Sequence, residues 1–342
     1  MSRDRSIDVG TLLFGHPVYE RVEPDQAVPG VAAGQEEVAF QSAASLRDSI
    51  LAEVGKAVVG HEDVIELMTL AAIAGGHVLV EGPPGVAKTL VSNAFAHALG
   101  LTYTRVQFTP DTMPSDITGV TTDRMGEPVF VPGPVFTNVL LVDEINRTPP
   151  RTQAALLEAM QERRVTVDGA THWLPSPFIV VATQNPYEQH GVHALPESQL
   201  DRFLFKLDMN PGDEAHELQM LMLPHVGVAP DLIGDIRPLM GPTQLMLAQR
   251  EVDSTHVPED VARYLIGVVR NTREDVDVAL GASPRAAIHL LAAAKASARL
   301  QGRDEVVNED VARMAYPVLS HRIVMRKGGA ARAIEAALTA GR

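Results

Sequence analysis

The sequence predicts an α/β domain built on a parallel β-sheet, followed by a smaller all-helical domain. Four short apolar runs in the first two thirds of the chain are rich in β-branched residues, and segments of helical periodicity lie between them. Such alternation is typical of parallel strands with helices on both faces of the sheet. From about Glu214 onward the β-branched runs stop and amphipathic helical patterns take over. A length of 342 residues also favours two domains, because single cores rarely grow beyond about 250 to 300 residues.

We expect strands at residues 77–80, 105–108, 139–142 and 178–181, and helices at 45–54, 64–74, 90–99, 258–270, 284–300 and 309–319. Ser283 is expected to cap the helix that begins at Pro284, and Asn308 the helix at 309, because both side chains accept hydrogen bonds from free helical N–H groups. The chain then divides into a poorly ordered arm at 1–40, an α/β core at 41–212 and a helical domain at 213–342.

The composition argues against several classes of function. A formal net charge of −14 repels nucleic acid and anionic lipid, so we expect no nucleic-acid partner. The absence of cysteine excludes disulfides, thiolate metal sites and a cysteine nucleophile. A brief apolar patch near the N terminus, Thr11 to Phe14, is far shorter than the ~20 residues that span a membrane. We therefore expect a cytoplasmic location without direct membrane insertion.

The most informative segment is EGPPGVAKT at residues 81–89, which follows an apolar strand and precedes a helical pattern. In this context it predicts a P-loop that binds ATP, in which backbone N–H groups and Lys88 contact phosphate oxygens and Thr89 binds Mg²⁺. Ala87 stands where the pattern usually has glycine, and a glycine-proline turn before Lys-Thr is the alternative interpretation. The candidate nucleotide-binding residues of this segment are Gly82, Pro83, Pro84, Gly85, Val86, Ala87, Lys88, Thr89 and Leu90.

Two later strands end in residues that suit the same chemistry. The run LLV at 140–142 is followed by Asp143 and Glu144, a pair that predicts one carboxylate on Mg²⁺ and one beside an attacking water, and therefore ATP hydrolysis. A solvated acidic turn is the alternative, and the P-loop weighs against it.

The strand at 178 ends in Thr-Gln-Asn. Asn185 would orient the water if this strand lies between the other two. An ordinary turn is the alternative, because Pro186 fits it equally well.

From this pair onward the chain resembles the MoxR family of AAA+ ATPases, a helix-2-insert clade related to magnesium-chelatase-type subunits. The matching segments are DEINRTPP at 143–150, QAALLEAMQE at 153–162, QFTP at 107–110, DITG at 116–119, PGPVF at 132–136, ATQNP at 182–186 and LPESQLDRF at 195–203. The resemblance covers roughly residues 45–330. It implies an AAA+ core with a five-stranded parallel sheet, a helical lid domain, and insertions within 110–136 and 162–176. Alternation in 165–173 independently indicates a hairpin, in which we expect Trp173 to serve packing.

The resemblance also assigns site residues outside the P-loop. It gives Arg202 a role in trans, at the nucleotide of a neighbouring subunit, and it matches Arg285 to a second arginine that contacts phosphate and couples lid rotation to nucleotide state. A structural ion pair of Arg202 with Asp201 or Glu197, and an ordinary solvated Arg285, are the alternatives. Val59 and Gly60 are assigned to the adenine; His61 stands where relatives generally carry glutamine.

The function implied by the resemblance is Mg-ATP hydrolysis by a homo-oligomeric ring, expected to be a hexamer, that remodels or matures client proteins. A protein with a von Willebrand factor A domain is the implied partner, and the client is not identified. Insertion of a cofactor or metal ion, and a nucleotide-dependent scaffold with little turnover, are the alternatives. His190 and His193 have a spacing that could suit a metal, but no third ligand lies near them, and we expect no zinc site.

Overall fold

The computed structural model describes residues 42–187, 191–222, 225–226, 229–230 and 233–341, which belong to one compact unit. The arm expected at residues 1–40 lies outside these ranges, and so does His190. The strands are β1 Val78–Glu81, β2 Tyr103–Gln107, β3 Gly119–Arg124, β4 Glu127–Pro132, β5 Val139–Asp143, β6 Arg164–Val167, β7 Ala170–Trp173, β8 Ile179–Gln184, β9 Phe205–Asp208, β10 His225–Val226, β11 Ala229–Pro230, β12 Val278–Leu280 and β13 Val324–Met325.

The helices alternate with these strands in the first half of the chain and dominate the second. They are α1 Ala43–Val54, α2 Glu62–Ile73, α3 Lys88–Ala98, α4 Pro114–Thr118, α5 Pro150–Glu162, α6 Glu197–Leu200, α7 Glu214–Leu221, α8 Pro242–Asp253, α9 Glu259–Glu274, α10 Pro284–Leu300, α11 Asn308–Leu319 and α12 Ala330–Ala340. None of the helices in the described part of the chain has the length and hydrophobicity needed to cross a lipid bilayer.

The central sheet has five parallel strands in the order β2-β5-β8-β1-β9. The four strands expected from apolar runs are β1, β2, β5 and β8, and the fifth, β9, is the one that only the resemblance implied. Since β8 lies between β5 and β1, the three strands that carry candidate motifs are neighbours. Their carboxyl ends meet at one edge of the sheet, where α/β proteins bind ligands.

Side chains alternate between the two faces of this sheet, as the period of a strand requires. In β1, Val78 and Val80 pack into an apolar cluster with α1, α2 and α3, while Leu79 packs into a second cluster with α5 on the other face. Leu79 is completely buried, so Leu79→Ala would destabilise the fold by about 2 to 5 kcal/mol. Helices therefore cover both faces, as the sequence predicted.

Two hairpins project from the α/β core within the expected windows. The first pairs β3 with β4 and the second pairs β6 with β7. The rings of Phe130 and His172 stack between them with centroids 3.8 Å apart, which joins the hairpins. The packing role expected for Trp173 is wrong, because its side chain is 61% exposed and its ring lies under the guanidinium of Arg164, 5.6 Å away.

The second domain confirms the predicted helices with two corrections. The hydroxyl of Ser283 accepts a hydrogen bond from the Ala286 N–H at 3.2 Å, as a helix cap should. Asn308, by contrast, is already helical: Val307 precedes the helix, and the Asp310 carboxylate accepts the N–H of Val307 at 3.0 Å. The domain also contains the antiparallel pair β12–β13, which the helical patterns did not reveal because each strand is only two or three residues long. Its helices share one apolar cluster with α1 and α2.

Candidate active site

The loop between β1 and α3 has the conformation of a phosphate-binding loop. Gly85 and Ala87 both adopt left-handed backbone angles, with φ of 87° and 62°. A side chain at Gly82 would place its Cβ 2.3 Å from the carbonyl oxygen of Met209, so only glycine fits there. Helix α3 begins directly after Ala87, at Lys88. Backbone N–H groups at such a helix start form a site for anions.

Lys88 and Thr89 already contact the groups that would frame a nucleotide. The Lys88 ammonium donates to the carbonyl oxygens of Gly82 and Pro83, at 2.6 and 2.8 Å. Partial burial lowers the pKa of Lys88, and the carboxylates of Glu144 and Asp143 act in the opposite direction. Both of its bonds are to neutral carbonyl groups, which a phosphate can replace with a charge-assisted hydrogen bond.

Asp143 lies at the centre of a network at the end of β5. Its side chain is only 6% exposed. One carboxylate oxygen accepts the hydroxyls of Thr89 and Thr183, at 3.2 and 3.3 Å, and the other accepts the guanidinium of Arg105 at 2.7 Å. The carboxylate is therefore held by three side chains in a nearly buried position, beside the first turn of α3.

Glu144 is held in an unusual backbone conformation next to Asp143. Its φ is 58°, in the left-handed region, and its N–H donates to the Thr183 hydroxyl at 3.1 Å. Its carboxylate accepts the side-chain amide of Gln107 at 2.5 Å and the guanidinium of Arg147 at 2.9 Å. Backbone strain of this kind costs of order 1 to 3 kcal/mol and is common at functional sites.

The third strand, β8, brings Thr183 to this network more directly than Asn185. Thr183 is 3% exposed and contacts both Asp143 and Glu144. The side-chain oxygen of Asn185 accepts the Tyr187 N–H at 3.1 Å and so stabilises the turn after β8. Asn185 lies at the same edge of the sheet as the P-loop, and its role toward a water molecule stays a prediction.

The two candidate arginines lie at the opposite edge of the sheet. Leu204, two residues after Arg202, hydrogen-bonds His77 at the start of β1, whereas Met209 hydrogen-bonds Glu81 at its end. β1 has four residues and is therefore ~13 Å long. Arg202 thus precedes the amino end of β9, while the P-loop follows the carboxyl end of β1.

Arg285 lies beside Arg202 rather than apart from it. Its guanidinium is 3.9 Å from the Asp201 carboxylate, and its charge contributes to the lowered pKa of Arg202, for which burial is the main cause. Arg202 does not pair with Asp201; it donates to the carbonyl oxygen of Leu157 at 2.7 Å. Among the described residues Arg202 forms an ion pair with neither Asp201 nor Glu197, so that alternative is wrong, and Asp201 pairs instead with Arg322 and Arg285.

The segment assigned to the adenine lies against the start of α7. Gly60 has a φ of 73°, and a Cβ there would be 3.3 Å from the ring of His216. Val59 is half-buried and His61 lies in the left-handed region, with φ of 63°. Burial lowers the pKa of His61. Base contacts by Val59 and Gly60 stay predictions.

The oxygen ligands expected for Mg²⁺ are close together. Thr89 and Asp143 are already hydrogen-bonded, and hydroxyl and carboxylate oxygens are the hard ligands that Mg²⁺ prefers. In the ranges that the structure describes, no group of three or more His, Asp or Glu side chains could hold a metal by itself. Mg²⁺ is usually bound through one or two protein ligands together with water and substrate phosphates, and Thr89 and Asp143 are two such ligands.

Sequence reasoning missed three residues of this site: Arg105, Gln107 and Thr183. Arg105 and Gln107 lie two residues apart on β2, so they point to the same face, toward Asp143 and Glu144. Polar residues at alternate positions of a strand could have signalled this. The identity of their partners depends on the pairing of β2 with β5, which the sequence does not show.

Comparisons with known proteins agree with this geometry. Residues 77–205 match the family model described as "ATPase family associated with various cellular activities (AAA)", and residues 270–338 match the model of the AAA lid domain. The α/β core with its P-loop, the acidic pair after β5 and the helical domain therefore define a AAA-type ATPase fold with its lid.

Individual relatives identify the family within this class of ATPases. Chaperone MoxR1 of Mycobacterium tuberculosis is 43% identical over 284 residues, which cover 80% of this chain and 74% of that protein. Protein YeaC of Bacillus subtilis is 43% identical over 274 residues, 80% of this chain and 85% of YeaC. The crystal structure of a candidate ATPase from Cytophaga hutchinsonii superposes with a TM-score of 0.79 at 36% identity, and covers 87% of this chain and 96% of that one. The chain belongs to the MoxR family of AAA+ ATPases.

Proposed function

We propose that this chain hydrolyses Mg-ATP in a ring of identical subunits and uses the energy to remodel client proteins. The observation that carries the proposal is the meeting of Lys88, Thr89, Asp143 and Glu144 at one edge of the sheet. A pure nucleotide-dependent scaffold would not need Glu144, whose strained backbone and two side-chain contacts hold its carboxylate beside the P-loop.

Within one subunit, binding requires a change of partners. Lys88 exchanges the carbonyl oxygens of Gly82 and Pro83 for phosphate oxygens, and the loop N–H groups contact the same phosphates. Thr89 and Asp143 would hold Mg²⁺, which when bound would neutralise charge that develops on the phosphates. For this, Asp143 has to release the hydroxyls or the guanidinium that it now accepts.

Glu144 is the residue that we assign to the attacking water. Its carboxylate is now shared by Gln107 and Arg147, so it must leave at least one of them to accept a proton from water. Asn185 and Thr183 emerge from the neighbouring strand, and we assign Asn185 to the orientation of that water.

The site is completed by a neighbouring subunit. Arg202 and Arg285 lie at the far edge of the sheet from their own P-loop, so we propose that both act on the nucleotide of the adjacent subunit. An arginine supplied in this way stabilises the charge of the transition state and contributes about 10³ to 10⁵ in rate. An interface that joins two different edges of the same chain is heterologous and forms a ring when its rotation closes; we propose such a ring of six subunits.

The cellular role of this ATPase cycle is proposed from the similarity to a named relative. The relative from Mycobacterium tuberculosis is named a chaperone, which favours remodelling or maturation of client proteins over metal insertion. A partner with a von Willebrand factor A domain rests on the family resemblance alone, and the proposed cytoplasmic location rests on the shortness of the apolar patch at Thr11 to Phe14.

The test is steady-state ATP turnover as a function of protein concentration in the presence of Mg²⁺. Turnover per subunit should rise with concentration and level off, because each site needs a neighbour. Glu144→Gln should abolish turnover while a fluorescent ATP analogue still binds, and Arg202→Ala should lower turnover by at least about 10³-fold. Arg263→Ala is the matched control, since Arg263 is 77% exposed and, within the described ranges, pairs only with Glu259.

Each part of the proposal has its own contradicting result. Unchanged turnover in Glu144→Gln would refute the assignment of the water. A rate per subunit that is independent of concentration and indifferent to Arg202→Ala would refute the shared site.

A further inference from the structure

A buried arginine of the lid domain, Arg322, binds the chain segment that carries Arg202. Its side chain is only 2% exposed. Nε donates to the Asp201 carboxylate at 2.8 Å, and the terminal nitrogens donate to the backbone oxygens of Asp201, Phe203 and Leu204. Arg322 thus holds the backbone on both sides of Arg202.

Burial of a guanidinium is costly unless its donors are satisfied, and the loss of its partner leaves an uncompensated buried charge. Burial lowers the pKa of Arg322 to about 10, and Asp201 opposes that effect, so the group is charged at neutral pH. His289 supplies one further acceptor through Nδ1; burial, reinforced by the Arg322 charge, lowers its pKa to about 3, and its ring is neutral. Hydrogen bonds from a buried, charged guanidinium therefore define the geometry of this cluster.

Asp201 joins the same cluster to the start of α10. Its carboxylate accepts the Ser283 hydroxyl at 3.1 Å and lies 3.9 Å from the guanidinium of Arg285. One carboxylate thus contacts two arginines of the lid and is the chain neighbour of a third, Arg202.

The guanidinium of Arg202 itself is held only loosely. Among the described residues its one hydrogen bond is to the carbonyl oxygen of Leu157, and its buried Nε has no partner. The position of this side chain is therefore decided mainly by the backbone of residues 201–204, which Arg322 binds.

We propose that Arg322 and Asp201 are positioning residues, which hold Arg202 and Arg285 as one unit that is presented to the neighbouring subunit. This inference deepens the proposed function and depends on its shared site. Because Leu204 also hydrogen-bonds His77 of the core sheet, the contact of Asp201 with Arg322 and Arg285 fixes the lid arginine, Arg285, relative to Arg202 of the core. Neither Arg322 nor Asp201 needs to contact nucleotide.

The experiment is complementation in mixed rings. Asp201→Asn and Arg322→Gln should each lower turnover at least tenfold when assembled alone. Each is then mixed in equal amounts with Glu144→Gln subunits, which cannot hydrolyse ATP but carry an intact arginine unit. In randomly mixed rings, half of the subunits have an intact Glu144, and half of their neighbours have an intact arginine unit. About one quarter of all sites can therefore hydrolyse ATP. We expect turnover to recover to the level of an Arg202→Ala and Glu144→Gln mixture.

Three controls separate the outcomes. Asp201→Asn mixed with Arg202→Ala should show no recovery, because neither subunit supplies a working arginine unit. Arg303→Gln removes another arginine–aspartate pair of the lid, with Asp310, and should keep wild-type turnover even if its melting temperature falls. Asp201→Asn, which preserves side-chain volume, carries the test if Arg322→Gln does not fold.

The inference is overturned if Asp201→Asn keeps wild-type turnover, fails to assemble, or is not rescued while Arg202→Ala is rescued. In the last case the damage lies within the subunit itself, and the role of Asp201 is structural. If the Arg202→Ala and Glu144→Gln mixture itself shows no recovery, the shared site of the proposed function fails instead.

Discussion

Ala87→Gly should stabilise the protein, which is the reverse of the usual effect of glycine in a helical region. Ala87 has φ of 62° and ψ of 20°, a left-handed conformation that costs a residue with a Cβ about 1 to 2 kcal/mol. It also precedes the first residue of α3, where glycine is preferred to alanine. The greater freedom of glycine in the unfolded chain opposes this by about 0.4 to 1 kcal/mol. The net expectation is a gain of about 1 kcal/mol.

The assay is unfolding by urea and by heat without nucleotide. A gain of about 1 kcal/mol should raise the melting temperature by about 1.5 °C. Ala336→Gly is the matched control, because Ala336 is exposed in the interior of α12 and glycine there should cost about 1 kcal/mol. An Ala87→Gly protein with equal or lower stability than wild type would refute the reasoning, since the left-handed strain would then be absent or compensated.

Three further predictions concern pH, the P-loop and Mg²⁺. Burial lowers the pKa of His289 from 6.5 to about 3, so the neutral ring contributes fully to the free energy of unfolding above pH 6.5, and this contribution is lost as pH falls toward 3. At pH 5 the free energy of unfolding should be about 2 kcal/mol lower for this reason. In urea unfolding, His289→Asn should make stability less dependent on pH in this range. Gly82→Ala should weaken binding of a fluorescent ATP analogue at least tenfold, because the added Cβ would clash with the Met209 carbonyl oxygen. Gly85→Ala is the control: its Cβ would have no atom within 4 Å, so this variant should bind the analogue more tightly than Gly82→Ala. Arg105→Gln should lower the Mg²⁺ concentration for half-maximal binding of the analogue about two- to fivefold, since the half-exposed Arg105 competes weakly for Asp143; an unchanged Mg²⁺ dependence would contradict this competition.

The local motifs were predictable because each consists of consecutive residues at the end of one strand. The P-loop requires a turn that glycine permits and a helix that begins at Lys88, and nine adjacent residues, 81–89, specify both. Asp143 and Glu144 follow an apolar run whose burial is evident from its composition. The alternation of strands and helices likewise predicted the α/β class, and Ser283 with Pro284 predicted where α10 begins. In these cases the physical cause lies within a few residues of its effect.

Partners distant in the chain were decided only by tertiary structure. Arg105 and Gln107 are functional candidates because β2 pairs with β5, and Thr183 because β8 lies on the other side of β5. Asp201 and Arg322 are 121 residues apart, and a buried guanidinium has no sequence signature that separates it from an exposed one. The sequence by itself therefore determined the class of fold and predicted which residues would bind nucleotide. Only the tertiary structure decided which side chains hold the nucleotide-binding residues in place. It also decided that Arg202 and Arg285 lie at the far edge of the sheet, because both results depend on strand order and domain packing.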